Sequence, residues 1–171
     1  MTTEFNYPLT GDAAVLAVLV ANGKTLVIRQ PDRDYSQWKF PGGTVEPGET
    51  IYQALVREIE DETGFQIPHF KNAGGMWSLG NEKVMVDYLD CRLIKTKHGT
   101  HDQHQFLIRI ADERDILYLD GQIRKEDDEE TIETRIFEFP VLETMRDFLW
   151  KQLKMLRKVK AKLTELEQIA T

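Results

Sequence analysis

Gly42-Gly43-Thr44-Val45-Glu46-Pro47-Gly48-Glu49-Thr50, continuing through the helix that ends Arg57-Glu58-Ile59-Glu60-Asp61-Glu62-Thr63-Gly64-Phe65, decides the reading of this chain. The second half predicts a helix over Thr50 to Thr63. Thr50 and Gln53 have capping-box spacing, which satisfies orphan N–H groups at a helix start. Gly64 supplies a left-handed stop. At about 100° per residue, Ile51, Ala54, Glu58, Asp61 and Glu62 share one side of this helix. Tyr52, Leu55, Val56 and Ile59 fall on an adjacent side, while Gln53, Arg57 and Glu60 face away.

The first of these sides begins apolar and ends in three carboxylates. Burying one such group without a partner costs several kcal/mol, of the order known for unpaired ions. Three together repel one another near a helix C-terminus, whose dipole disfavours negative charge. Arg57 is the only local cation, and it lies at the edge of the face. A hard divalent cation, Mg²⁺ or Mn²⁺, resolves all three problems together. An isolated acidic cluster is more often a solvated helix end, so the flanking residues decide between the two readings.

Those residues resemble the signature of the Nudix hydrolase family, the MutT-like pyrophosphohydrolases. The signature runs Gly, five residues, Glu, seven residues, then Arg-Glu-aliphatic-x-Glu-Glu-x-Gly-aliphatic. Gly43, Glu49, Arg57, Glu58, Ile59, Glu62 and Gly64 match, with Phe65 as the closing apolar residue and Trp38 and Pro41-Gly42 upstream. Asp61 departs from the usual Glu, which keeps the charge on a side chain one methylene shorter. The resemblance implies an α/β (α+β) fold, a Nudix-type α/β/α sandwich around a mixed β-sheet. It implies metal held by Glu58, Asp61, Glu62 and the backbone carbonyl of Gly42, with Mg²⁺ expected and Mn²⁺ as the alternative. Arg57 and Glu49 would pair to orient the loop–helix unit, and Gly43 and Gly48 would serve backbone shape. Arg57, Glu58 and Glu62 would be the catalytic residues.

The implied reaction is hydrolysis of the diphosphate linkage of a nucleoside diphosphate joined to a group X. Glu58 is one candidate base, and a residue of the Glu126–Glu130 run or Glu133 is another. Arg29 and Arg33 are candidate phosphate contacts through their planar forks, and ordinary surface pairing is their other reading. Trp38, Trp77 and Tyr88 are candidate stacking platforms for a base, although core packing is the commoner use of aromatics. The competing class is a non-catalytic sensor or scaffold that binds a nucleotide and uses its C-terminal helix for a partner.

Outward from the signature, Ala13–Val20 and Thr25–Gln30 flank Asn22-Gly23 and predict a β-hairpin. Val84–Leu93 and His104–Ile110 predict paired strands joined by a polar connection from Lys95 to Gln103. His98, His101 and His104 fall around that connection, match no familiar zinc set and read as a polar hairpin tip. Cys91 reads as a small buried hydrophobe. Ala111 to Thr131 reads as a long charged connection, and Glu133–Phe139 as the last strand. From Pro140 onward the pattern predicts one long helix of about 45 Å. Leu142, Met145, Leu149, Leu156, Val159, Leu163, Leu166 and Ala170 form a heptad-like seam interrupted at Gln152. The organisation expected is a catalytic domain over residues 1–140 and a C-terminal helix over 141–171. That helix would either fold back on the domain or form a homodimer.

The 171 residues are 41% hydrophobic and 30% charged, enough for a core and unlike a disordered chain. Net charge is −7, which argues against a general nucleic-acid binder; an RNA 5′ end stays open as a substrate. Residues 1–140 carry 15 basic and 25 acidic groups, whereas residues 141–171 carry 7 and 4. A single cysteine excludes an internal disulfide. No apolar run approaches the roughly 20 residues of a membrane span. Met1 to Gly11 contains Glu4 and no Lys or Arg, unlike a signal peptide. A soluble cytoplasmic protein is the expectation.

Overall fold

A computed structural model describes residues 12–33, 36–96, 99–126 and 130–170. The first hairpin forms as its sequence predicts: β1 (Ala13–Ala21) and β2 (Lys24–Arg29) turn at Asn22 and Gly23, with φ of 49° and 71°. After β3 (Gly42–Thr44) comes α1 (Ile51–Thr63), with the reciprocal Thr50–Gln53 capping box in place and Gly64 as the left-handed cap. A small two-stranded sheet follows, β4 (His69–Lys71) with β5 (Trp77–Leu79). The remaining strands are β6 (Val84–Thr96), β7 (Gly99–Ile110), β8 (Ile123–Glu126) and β9 (Glu130–Glu138). The main sheet runs β6-β7-β1-β2-β9-β8, with β3 paired to β1. It is mixed, because β1 lies parallel to β7 while the other pairs are antiparallel.

The sheet is buried on both faces, which explains why β1 reads as an unbroken apolar run. Val15, Ala17 and Leu19 join α1 residues Ile51, Leu55 and Ile59 in one core. Leu16, Val18 and Val20 join Met155, Leu156 and Val159 in the other. The layers are therefore helix, sheet, helix, as the signature implies.

The C-terminal segment departs from a single helix. After a short α2 (Arg114–Leu117) between β7 and β8, the C-terminal segment forms α3 (Phe139–Thr144), a 3₁₀ turn at Trp150–Gln152 and α4 (Leu153–Ala170). The break has a tertiary cause: the Trp38 amide donates to the Asp147 carbonyl at 2.7 Å, and the Leu149 amide donates to the Trp38 carbonyl at 2.9 Å. These bonds bridge Trp38 to Phe148 in parallel, strand fashion. α4 is about 27 Å long by its 18 residues and lies back on the sheet, where Leu163 and Leu166 also pack. Of the two arrangements expected for this segment, packing on the domain is the one seen from Met155 to Leu166. Lys158 fastens the helix by reaching Asp90 and the buried Gln105.

Other expectations change for similar reasons. Lys95–Gln103 is no open connection, since β6 and β7 stay paired out to Thr96 and Gly99. His101 and His104 therefore sit in β7, and His98 lies outside the described residues. Ala111–Thr131 holds α2 and β8, whose partner β9 is supplied by later sequence. Cys91 is exposed: an irregularity between Tyr88 and Asp90 shifts the register, and β6 is an edge strand. Among the described residues no helix is long and apolar enough to cross a membrane.

Candidate active site

The signature loop and helix close on each other through Arg57. Its Nε and Nη2 donate to the two oxygens of Glu49 at 2.7 and 2.8 Å, a bidentate pair. Nη1 reaches Glu58 Oε1 at 2.8 Å, and Nη2 also meets the Thr44 carbonyl at 3.1 Å. The Glu49 bonds, and then Glu58, outweigh burial and lift the Arg57 pKa above arginine's ordinary high value. Burial pushes the Glu49 carboxyl upward, but the Arg57 hydrogen bonds prevail and hold it below its ordinary value. One guanidinium thus fixes the loop against the helix.

Glu58 and Glu62 turn inward, 9% and 6% exposed, whereas Asp61 is exposed. The Gly42 amide donates to Glu62 Oε2 at 2.9 Å, so the loop touches the last helical turn as well. A Cβ on Gly43 would stand 2.4 Å from Glu58 Oε1, and one on Gly42 would stand 2.2 Å from the Val15 carbonyl. Both glycines are therefore demanded by close approach. Gly48 and Gly64 each hold φ of 80°, the left-handed region.

Among the described residues no three His, Cys, Asp or Glu side chains form a preassembled metal group. The donor set nevertheless suits a hard divalent ion. Two nearly buried carboxylates project from one helix face, and Glu58 shares its guanidinium with Glu49. Mg²⁺ commonly takes only one or two protein carboxylates and completes its shell with water and substrate phosphate.

Arg29, Arg33 and Trp38 occupy a different part of the β2 end. Arg29 pairs with Glu133 at 2.8 Å and lies 4.5 Å over the Trp38 ring. Arg33 pairs with Glu130 at 2.6 Å, and Gln30 donates to the same carboxylate at 3.0 Å. Trp38 is 7% exposed and meets Phe137 edge-on, so it is a core residue rather than an open platform for a base. Trp77 stacks on His69, and Tyr88 packs on Phe106 while its hydroxyl contacts His104. Residues 127–129 of the late acidic run lie outside the described residues.

A cavity of about 470 Å³ opens on the α4 face next to the loop. Leu16, the cross-strand partner of Gly42, lines it. So does Gln152, whose Oε1 accepts a 2.6 Å bond from the Phe40 amide. Sequence reading missed this cavity, because Arg92 and Lys95 come from β6 while Lys151 and Lys154 come from the C-terminal segment. The basic excess of residues 141–171 was its one trace in the sequence.

A sandwich of this topology, with a capped helix presenting two buried glutamates to a glycine loop, matches the NUDIX domain family over residues 10–159. The chain belongs to that family. It is similar to the CTP pyrophosphohydrolase of Escherichia coli (strain K12), 41% identical over 111 residues, covering 61% of this chain and 78% of that protein. It is also similar to the putative 8-oxo-dGTP diphosphatase YtkD of Bacillus subtilis (strain 168), 44% identical over 64 residues, 37% of this chain and 39% of the relative. The match to the Nucleoside diphosphate-linked moiety X motif 6 of Xenopus laevis likewise covers 40% of that protein. The aligned stretches thus span about two fifths of the YtkD and Xenopus relatives. A NUDIX hydrolase from Nitrosomonas europaea shares the fold, with a TM-score of 0.60 at 16% identity over 90% of each chain.

Proposed function

We propose that the protein is a metal-dependent pyrophosphohydrolase that cleaves the diphosphate linkage of a nucleoside diphosphate derivative with water. The observation that carries this reading is the pair of nearly buried carboxylates, Glu58 and Glu62, held against the Gly42-Gly43 loop. Glu58 and Glu62, with Asp61 and the Gly42 carbonyl, would hold Mg²⁺ or Mn²⁺. Such an ion supplies charge neutralisation for phosphate oxygens and a more acidic water.

The chain's own residues do the rest. Arg57 keeps the Glu58 carboxylate aimed at the loop through its Nη1 bond. Glu58 accepts the proton of the attacking water as general base. The cavity beside Leu16 and Gln152 receives the nucleoside end of the substrate. Arg29 and Arg33 meet outer phosphates by exchanging Glu133 and Glu130 for them. The names of the E. coli and B. subtilis relatives, which describe nucleotide pyrophosphate cleavage, support the substrate class. A single exposed cysteine and an acidic body suit the cytoplasm.

The test is hydrolysis of a nucleoside triphosphate panel in ¹⁸O-labelled water with Mg²⁺. Incorporation of one label into one phosphate product per turnover is expected. Transfer of the phosphoryl group without label, or no turnover of any member, would overturn the reading.

A further inference from the structure

Gln152 is the polar interruption in the apolar seam of the C-terminal segment, and its side chain is bonded to the strand-like run that leads into the signature loop. Along Trp38–Gly42 each backbone N–H has an acceptor, as buried backbone requires. Trp38 donates to the Asp147 carbonyl at 2.7 Å and Lys39 to the Ile28 carbonyl at 2.9 Å. Phe40 donates to Gln152 Oε1 at 2.6 Å and Gly42 to Glu62 Oε2 at 2.9 Å. Pro41 has no N–H, and its carbonyl accepts from the Ala17 amide at 3.0 Å. Only Phe40 and Gly42 rely on side chains here, and one of those side chains is a glutamate of the site.

The need for Gln152 follows from the backbone. Parallel pairing joins Trp38 to Asp147 and Leu149, and its next step would give the Phe40 amide to the Leu149 carbonyl. That carbonyl instead accepts from the Gln152 amide at 2.8 Å, which closes the 3₁₀ turn. The Gln152 side chain reaches back and supplies the acceptor that the turn has withdrawn. Phe40 is 1% exposed and its ring meets Phe148 edge-on, so its amide is shielded from water.

We propose that Gln152 is a positioning residue of the hydrolytic site, holding the Gly42 peptide in place through Phe40. The linkage between Phe40 and Gly42 is stiff. Pro41 fixes its own φ and restricts the backbone of the residue before it, so a shift at Phe40 is passed on to Gly42. Gly42 then carries it to both of its roles, the carbonyl offered to the metal and the amide bonded to Glu62. The proposal rests on the reading of Gly42 and Glu62 as metal-holding groups. A polar residue in the seam thus ties the C-terminal segment to the chemistry.

Gln152→Met keeps the length and bulk of the side chain and removes the acceptor, whereas Gln152→Glu keeps an acceptor oxygen. Amide hydrogen exchange of the full chain, followed by NMR in EDTA, reads the loop without metal or nucleotide. The Phe40 and Gly42 amides are expected to exchange about tenfold faster in Gln152→Met and to regain protection in Gln152→Glu. Mn²⁺ titration followed by electron paramagnetic resonance, without nucleotide, should show affinity about tenfold weaker in Gln152→Met, as for other groups that orient a metal's ligands. Gln152→Asn, which keeps the amide but falls one methylene short, replaces Gln152→Met if that variant does not fold.

Faster exchange at Phe40 alone makes Gln152 a structural bond and overturns the proposal. So does a Mn²⁺ affinity that the variant leaves unmoved, the result expected if Gln152 only lined the cavity. Absence of Mn²⁺ binding by wild type overturns the metal reading and the proposal with it. Turnover of the nucleotide panel is measured separately. Wild type that shows the Gln152-dependent exchange and Mn²⁺ affinity but no turnover sinks the hydrolase reading and leaves the positioning role. Turnover with both quantities indifferent to Gln152 does the reverse.

Discussion

Gly43 and Glu58 stand so close that a methyl group on the glycine would lie 2.4 Å from the carboxylate Oε1. The neighbouring Gly42 is equally crowded, but by the Val15 backbone carbonyl at 2.2 Å. These two clashes have different consequences. A side-chain carboxylate can swing aside, whereas a strand carbonyl cannot. Gly43→Ala should leave the unfolding free energy within about 1 kcal/mol of wild type while lowering kcat at least tenfold by displacing Glu58. Gly42→Ala should instead lose about 2–3 kcal/mol through strain and the lost β1–β3 pairing. Urea unfolding and initial rates on both variants separate the two effects.

Arg57→Met removes the cation shared by Glu49 and Glu58. A loss of about 2–4 kcal/mol at pH 7 is expected, since it strands partly buried carboxylates. The sign of its pH dependence follows from Glu49, whose folded pKa is lowered from 4.5. Stabilisation by the pair is complete above about pH 5 and is lost as pH falls below 4.5 through the lowered value. The Tm difference between wild type and variant should therefore narrow below pH 4.5. A difference that widens on acidification contradicts this pairing.

Asp61 is exposed while Glu58 and Glu62 are inward. Asp61→Glu lengthens the exposed carboxylate of the three and should preserve or raise metal-dependent turnover. Loss of turnover with an unchanged circular dichroism spectrum would count against its place at the metal.

Leu156 is fully buried between α4 and the sheet. Leu156→Ala should cost about 2–5 kcal/mol in urea unfolding. Cutting the chain at Lys154 removes Met155, Leu156 and Val159 from the core and should yield an unfolded or aggregated product. A cut chain that sediments as a folded monomer would show that α4 is dispensable.

The signature helix was legible to within a residue because its limits are set locally, by the Thr50–Gln53 box and Gly64. The Asn22-Gly23 turn was legible for the same reason. What escaped was decided across the chain. Leu142, Met145 and Leu149 continue a helical pattern with no Gly or Pro between them, yet backbone bonds to Trp38 draw that segment out of the helix. β8 gains its identity only from β9, and Cys91 is exposed because of a strand irregularity that alternation cannot reveal. At the site, Glu58 and Glu62 were readable from spacing. The burial of Trp38 beneath Arg29 and the four-cation cavity were not, since their parts lie far apart in sequence.

The most direct measurement is phosphate release from a nucleotide panel with Mg²⁺ and Mn²⁺, for wild type beside Glu62→Gln. The variant keeps an oxygen to accept the Gly42 amide bond but loses the charge. Metal-dependent turnover that falls at least a hundredfold in the variant is predicted, with its Tm within a few degrees of wild type. Turnover that persists without metal, or that is indifferent to Glu62, would contradict the account.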